Sequence, residues 1–252
     1  QLKAQVNIVD IDGNHYNTVT IGSQVWMKEN LKTTKFNDGT LINLEENYWQ
    51  IIKSPVYCWM DNEESKNNIF GAIYNGYCIN TGKLCPTGWH VPTNTEWTIL
   101  ENYLISSGYN YDGTFTENKI AKSLTTADWG YIGCKYVVGC AGNPDYPEKR
   151  NTSGFSALPG GCRGGFDGVY YWGNQYWWSS TYYIIQKDTF NFGRQIIFDY
   201  IYTQTSAYEM NQGNSVRCIM GNSNTISEDL NIGDTIISSS GTPCFNAYNT
   251  IT

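Results

Sequence analysis

Apolar residues alternate through the opening of the chain, with Val6, Ile8 and Val9 before Asp12-Gly13-Asn14 and Val19, Ile21, Val25 and Trp26 after it. That pattern predicts short strands folded back over a turn. The periodicity changes at Thr93. Thr93-Asn94-Thr95-Glu96 has the residues of a capping box, Pro92 sets the entry, and Trp97, Leu100 and Leu104 follow at helical spacing. A second, short helix is predicted after Thr116, where Ile120 and Leu124 stand four apart before Asp128-Trp129-Gly130 breaks the pattern. From Ser153 onward short apolar runs are separated by Gly, Asn and Asp, as in strands joined by turns. Strands at both ends, helices between them and long loops predict an α+β fold rather than a doubly wound sheet.

Composition narrows the range of partners. The 252 residues are 40% hydrophobic and 15% aromatic, enough for one large domain or two small ones with a real core. Twenty Tyr and nine Trp beside only 15% charged residues suit contact with neutral, hydroxyl-rich ligands or with proteins. The same rings serve equally well to pin long loops. A net charge of −7 without any Lys/Arg run argues against nucleic acid. No stretch approaches the roughly 20 apolar residues that cross a bilayer, and no charged-then-apolar leader opens the chain, which therefore reads as mature material. Composition shifts after Met220-Gly221. Residues 1–221 are read as one domain, and the Ser/Thr/Asn-rich stretch 222–252 as a linker and the start of a following module. Eight cysteines without a paired C-x-x-C cluster point to disulfides in an oxidising compartment rather than zinc.

Several segments, in order, resemble one family. They are Ile21-Gly22-Ser23-Gln24-Val25-Trp26-Met27 with Glu29-Asn30-Leu31, then Tyr57-Cys58-Trp59, then Phe70-Gly71-Ala72-Ile73-Tyr74-Asn75. Leu84-Cys85-Pro86-Thr87-Gly88-Trp89-His90-Val91-Pro92 with Glu96-Trp97 comes next, followed by Ser153-Gly154-Phe155-Ser156-Ala157-Leu158-Pro159-Gly160-Gly161. Trp177-Trp178-Ser179-Ser180-Thr181 and Ser215-Val216-Arg217-Cys218 complete the set. Over about residues 5–220 the chain resembles the Fibrobacter succinogenes major paralogous domain family of secreted and lipid-anchored bacterial proteins. The resemblance implies a fold similar to the C-type lectin and formylglycine-generating-enzyme group, known mainly for binding. It also implies that Cys85 and Cys218 staple the core. Cys134 and Cys140 sit in an insert unusual for the family and form the easiest local pairing, while Cys162 replaces a common Tyr. Ser240-Gly241-Thr242-Pro243-Cys244-Phe245-Asn246-Ala247 resembles segments upstream of type IX secretion sorting domains, and Asp234-Thr235-Ile236 fits a short bacterial O-glycosylation pattern. By these resemblances the protein is expected outside the cell or on the outer-membrane surface, in association with outer-membrane or secretion machinery.

In hypervariable members of that fold group the segment between the Trp-Trp-Ser-Ser motif and the final Arg-Cys strand displays the contact surface. With the aromatic residues just before that motif included, the ligand-binding surface expected here runs between Tyr170 and Asn211, with Tyr170, Tyr182, Tyr183, Asn191, Arg194, Tyr200, Tyr202 and Tyr208 as contacts and Lys187 and Asp199 nearby. Aromatic faces stack on sugar C–H faces or protein side chains at small entropic cost, and amides and charges add direction. Strand alternation also requires that roughly half of these residues be core. The expected partner is a glycan or a protein, no cofactor is expected, and calcium is conceivable at Asp61-Asn62-Glu63-Glu64, although the lectin signatures Glu-Pro-Asn and Gln-Pro-Asp are absent. Asp10-Ile11-Asp12-Gly13-Asn14 lacks the later acidic ligand of a calcium loop and reads as a turn. Catalysis finds little support: of two histidines, His15 lies at the first turn and His90 sits in a scaffold motif. Arg163-Gly164-Gly165 resembles a signature of formylglycine-generating enzymes, whose copper chemistry needs two neighbouring thiolates, and no second cysteine lies at a suitable spacing from Cys162. A non-enzymatic binding domain is the first expectation, and a structural module of a large adhesin, filament or outer-membrane assembly the second. A formylglycine-generating-enzyme-like oxidase is the third.

Overall fold

The computed structural model describes residues 8–131, 134, 136–165 and 170–221. Val6 of the predicted first strand and everything expected of 222–252 lie outside the described residues. In chain order the first half contains β1 (Ile8–Val9), β2 (His15–Tyr16), β3 (Thr18–Ile21), β4 (Gln24–Met27), β5 (Asn43–Leu44), β6 (Val56–Trp59), α1 (Asn67–Phe70), β7 (Ala72–Asn75), α2 (Gly76–Ile79) and β8 (Trp89–His90). Then follow α3 (Asn94–Ser106), α4 (Ala121–Leu124), β9 (Cys162–Arg163), β10 (Tyr170–Tyr171), β11 (Gln175–Ile185), β12 (Asp188–Ile196), β13 (Thr203–Glu209), β14 (Gly213–Asn214) and β15 (Ile219–Met220). The class is α+β. Among the described residues four sheets share the work, ordered β1-β2, β10-β9-β14-β7-β6-β5, β11-β12-β13 and β3-β4-β15-β8.

The opening strands form two hairpins rather than one. Asp10 organises the first turn by accepting from the backbone N–H groups of Asp12 and Asn14, and its other oxygen accepts from the buried Tyr16 hydroxyl at 2.6 Å. This Asx-type turn is held by its own backbone. β3 and β4 then make the second hairpin around Gly22-Ser23.

The predicted capping box is formed. Thr93 Oγ1 accepts from Glu96 N at 3.1 Å while the Glu96 carboxylate accepts from Thr93 N at 2.8 Å. α3 buries Trp97, Leu100 and Leu104. The second helix is a single turn, with Ile120 just before it and Leu124 at its end.

The Trp177-Trp178 pair shows how one strand serves two cores. Successive strand residues point to opposite faces. Trp177 packs with Trp26, Trp97 and Phe155, whereas Trp178 packs edge-on to Tyr208 in a second cluster with Tyr74 and Tyr176. Both indole N–H groups are satisfied, Trp177 by Asn30 Oδ1 and Trp178 by the Tyr74 carbonyl. Asn30 Oδ1 also accepts from the fully buried Arg217. Cys85 is bonded to Cys218, closing the chain over 133 residues, and Cys134 is bonded to Cys140.

Candidate functional site

The site is built by an irregularity in the longest strand. β11 and β12 pair regularly from Gln175↔Ile196 to Trp178↔Gly193 and again from Tyr182↔Asn191 to Ile185↔Asp188, with a register shift between. Ser179, Ser180 and Thr181 thus face a single β12 residue, Phe192. The freed polar groups bond instead to the entry of α3: Ser180 N donates to the Pro92 carbonyl, and Thr181 Oγ1 accepts from Asn94 N. A bulge re-aims side chains out of the regular alternation. Ser180 consequently lines a cavity of about 300 Å³.

Ile79, Leu84 and Val91 give this cavity an apolar side, and the disulfide-bonded Cys85 adjoins them. Asn80, Ser180, Tyr182 and Thr189 supply amide and hydroxyl groups. The ionisable histidine at its edge is His90, and it is already committed. His90 Nε2 lies 2.8 Å from a Glu96 oxygen and Nδ1 lies 3.0 Å from the Gly221 carbonyl. Burial alone would depress its pKa, but the hydrogen bond and charge of Glu96 outweigh burial and hold it above the ordinary value. Burial likewise acts to raise the Glu96 pKa, and the bonds from His90 and Thr93 reverse that, leaving the carboxyl below its usual range. With both nitrogens facing acceptors, the ring is a structural clasp rather than an available base.

The structure separates the expected contact residues into two groups. Tyr183, Asn191, Arg194 and Tyr208 are buried, which corrects their assignment to a ligand surface. Tyr183 stacks on Phe190 with ring centroids 5.4 Å apart. Asn191 donates to Asn80 Oδ1 at 2.9 Å. Arg194 ties β12 to α3, donating to Glu101 Oε1 at 3.0 Å and to Thr98 Oγ1 at 3.0 Å. The Tyr208 hydroxyl donates to Gln195 Oε1 at 2.7 Å. Asn191 and Arg194 lie on opposite faces of β12, and both are buried because this central strand is covered on both faces from Phe190 to Ile196.

The accessible tyrosines do not form one surface. Tyr182 is half-exposed at the cavity, near the β11–β12 turn. Tyr200 and Tyr202, with ring centroids 4.9 Å apart, follow the opposite end of β12. Seven residue steps run from Gln175 to Tyr182, about 23 Å at the usual rise. Tyr170 belongs to a third place, the edge of the six-stranded sheet, where its hydroxyl donates to Asn62 Oδ1 and its ring lies 5.1 Å from the Arg163 guanidinium. Beside it Trp172, 43% exposed, is fixed by its Nε1 bond to Asp61 Oδ1, by an edge contact with Phe70 and by Lys66 over its ring.

That arrangement also redefines the acidic loop. Asp61 and Asn62 both have positive φ, 55° and 56°, a conformation L-residues seldom adopt. Asp61 is engaged by Trp172 on one oxygen and Lys66 on the other, at 2.6 Å. The loop's side chains therefore position aromatic rings. Among the described residues no group of three or more His, Cys, Asp or Glu is arranged to hold a metal. The free thiols among them, Cys58 and Cys78, are both buried, and burial raises both pKa values. Cys162 is disulfide-bonded.

The sequence reading missed Ser180, Asn80 and Thr189. The available signal was Ser179-Ser180-Thr181, three small hydroxyl residues inside an otherwise aromatic strand, but a bulge cannot be told from a regular strand by composition.

Fold and site thus define a disulfide-stapled α+β domain with a small neutral cavity set against a bulged hairpin. The Fibrobacter succinogenes major domain family matches residues 19–220, and the chain belongs to it. No curated protein and no solved structure matches the chain. No helix among the described residues is long and apolar enough to cross a membrane.

Proposed function

We propose that the chain is a non-enzymatic binding domain of an exported surface protein, with a C-type lectin-like fold and a glycan or protein as its ligand. The observation that carries this reading is the cavity beside Tyr182: an aromatic ring, three uncharged hydrogen-bonding side chains and an apolar side converge on one space. Amphipathic lining of this kind suits ligands that present both C–H faces and hydroxyl groups. Export to the cell exterior or the outer-membrane surface is supported by the Cys85–Cys218 and Cys134–Cys140 bonds, which persist in oxidising surroundings, and a type IX route by the resemblance at residues 240–247. Binding rather than turnover is supported by the commitment of both His90 nitrogens and by the burial of Cys58 and Cys78.

A structural role within a larger assembly has its own support in the loop closed by Cys134 and Cys140, where Tyr136, Val137 and Val138 are exposed in succession. Three adjacent apolar side chains on a pinned loop suit packing against a neighbouring protein.

A glycan-array screen of the full oxidised chain, with and without calcium and beside Tyr182→Ala, separates the two. Specific binding that the variant loses is the expected result. A blank array, with the chain captured only through the loop at Tyr136, would replace the first reading by the second.

A further inference from the structure

The cavity carries a further feature that its lining alone does not explain. Ser180 is 8% exposed, and its Oγ has no hydrogen-bond partner. Asn191, fully buried one strand away, uses its Nδ2 on Asn80 Oδ1 and on the Ser179 carbonyl, and its Oδ1 is likewise unpartnered. Buried polar atoms without partners are uncommon because each forfeits the hydrogen bonds it made to water. Here Ser180 is a lining residue whose Oγ is itself buried, and Asn191 is the side chain that orients Asn80 at the cavity's edge. Asn80 itself spends Nδ2 on the Met210 sulfur at 3.6 Å, a weak acceptor that a better one readily replaces. The bulge and the free hydrogen-bonding capacity therefore coincide.

Resting on the binding reading above, we propose that this cavity is a subsite for one neutral, hydroxyl-bearing ring, such as a single uncharged pyranose unit of a glycan. The volume, about 300 Å³, lies at the lower end of the roughly 300–1,000 Å³ span of small-molecule sites, which suits one ring and not an oligosaccharide. Among the described residues no Asp, Glu, Lys or Arg lines it, and His90 is paired with Glu96, so the described lining offers no unpaired charge to an anionic or cationic ligand. Ile79, Leu84 and Val91 face the C–H side of such a ring. Ser180 Oγ accepts from or donates to one ligand hydroxyl, and Asn80 Nδ2 donates to another. Asn191 acts as a positioning residue through Asn80.

The test is an amide chemical-shift titration of the full oxidised chain with methyl glycosides of neutral hexoses and N-acetylhexosamines, beside glucuronate and a cationic amino sugar. The expected result is saturable shifts at Asn80, Ser180, Tyr182 and Thr189 with the neutral sugars only, and affinity weakened about fivefold in Ser180→Ala. Tyr182→Phe and Thr189→Val serve as second probes should Ser180→Ala fail to fold. Shifts elsewhere that Ser180→Ala leaves unaltered, or preference for a charged sugar, would overturn the subsite while leaving the protein a binding domain. Ordered water alone on Ser180 Oγ at saturating sugar would overturn it too. Absence of binding both here and on the glycan array would remove the wider reading with it.

Discussion

Arg194 shows how one side chain changes meaning between sequence and structure. In the sequence it is a charge among tyrosines, a natural contact for a ligand. In the fold it is buried at 2% exposure, and its guanidinium spans Glu101, Asn94 and Thr98. Arg194→Met would leave the Glu101 carboxylate without its cation in a largely buried setting, and a loss of about 3 kcal/mol is expected. Urea unfolding measures it; a change below about 0.5 kcal/mol would return Arg194 to the surface role. The same reversal holds for Tyr183, Asn191 and Tyr208. Strand alternation predicts one open face, but β12 lies between β11 and β13 and is buried on both faces from Phe190 to Ile196. That double cover depends on what packs above and below the sheet, which only the fold supplies.

At the scale of elements, α3 and the closing strand β15 meet at His90. Its raised pKa means that the imidazolium stabilises the folded state below about pH 6.5 and that this contribution fades as pH climbs through the folded value. Glu96, held below its ordinary 4.5, contributes above that pH and loses the contribution as pH falls through its own folded pKa. The pair is therefore worth most between about pH 4.5 and 6.5. Glu96→Gln keeps a side chain compatible with the capping box and removes the charge. Its deficit in unfolding free energy should reach about 1–2 kcal/mol near pH 5.5 and shrink as pH rises through the raised folded pKa of His90. A deficit constant with pH would contradict the ion pair. The capping box and the helix it starts were legible in the chain, because four consecutive residues encode them. The bulge at Ser179–Thr181 was not, since it depends on which residues of β12, Pro92 and Asn94 lie opposite.

Across the whole molecule, the family motifs map onto the places where separate sheets are tied together. The Trp177-Trp178 pair spans two cores, Arg217 and Asn30 join distant segments, and Cys85–Cys218 closes the longest covalent loop among the described residues. On loop-closure entropy that bond contributes about 5 kcal/mol, against about 2 kcal/mol for the short Cys134–Cys140 loop. The double variant Cys85→Ala/Cys218→Ala should thus unfold at markedly lower urea than Cys134→Ala/Cys140→Ala. Equal midpoints would contradict the staple. The α+β class and these two pairings could be anticipated from ordered motifs and spacing, whereas the partition of tyrosines into three separate places could not. That partition makes the ligand site a local question. The most direct measurement compares equilibrium binding of an array-selected glycan by Tyr182→Ala and Tyr202→Ala, two ring deletions at opposite ends of the β11–β12 hairpin. Loss of at least tenfold affinity in Tyr182→Ala with Tyr202→Ala unchanged is the predicted result. The reverse pattern would contradict a binding site at the bulged end.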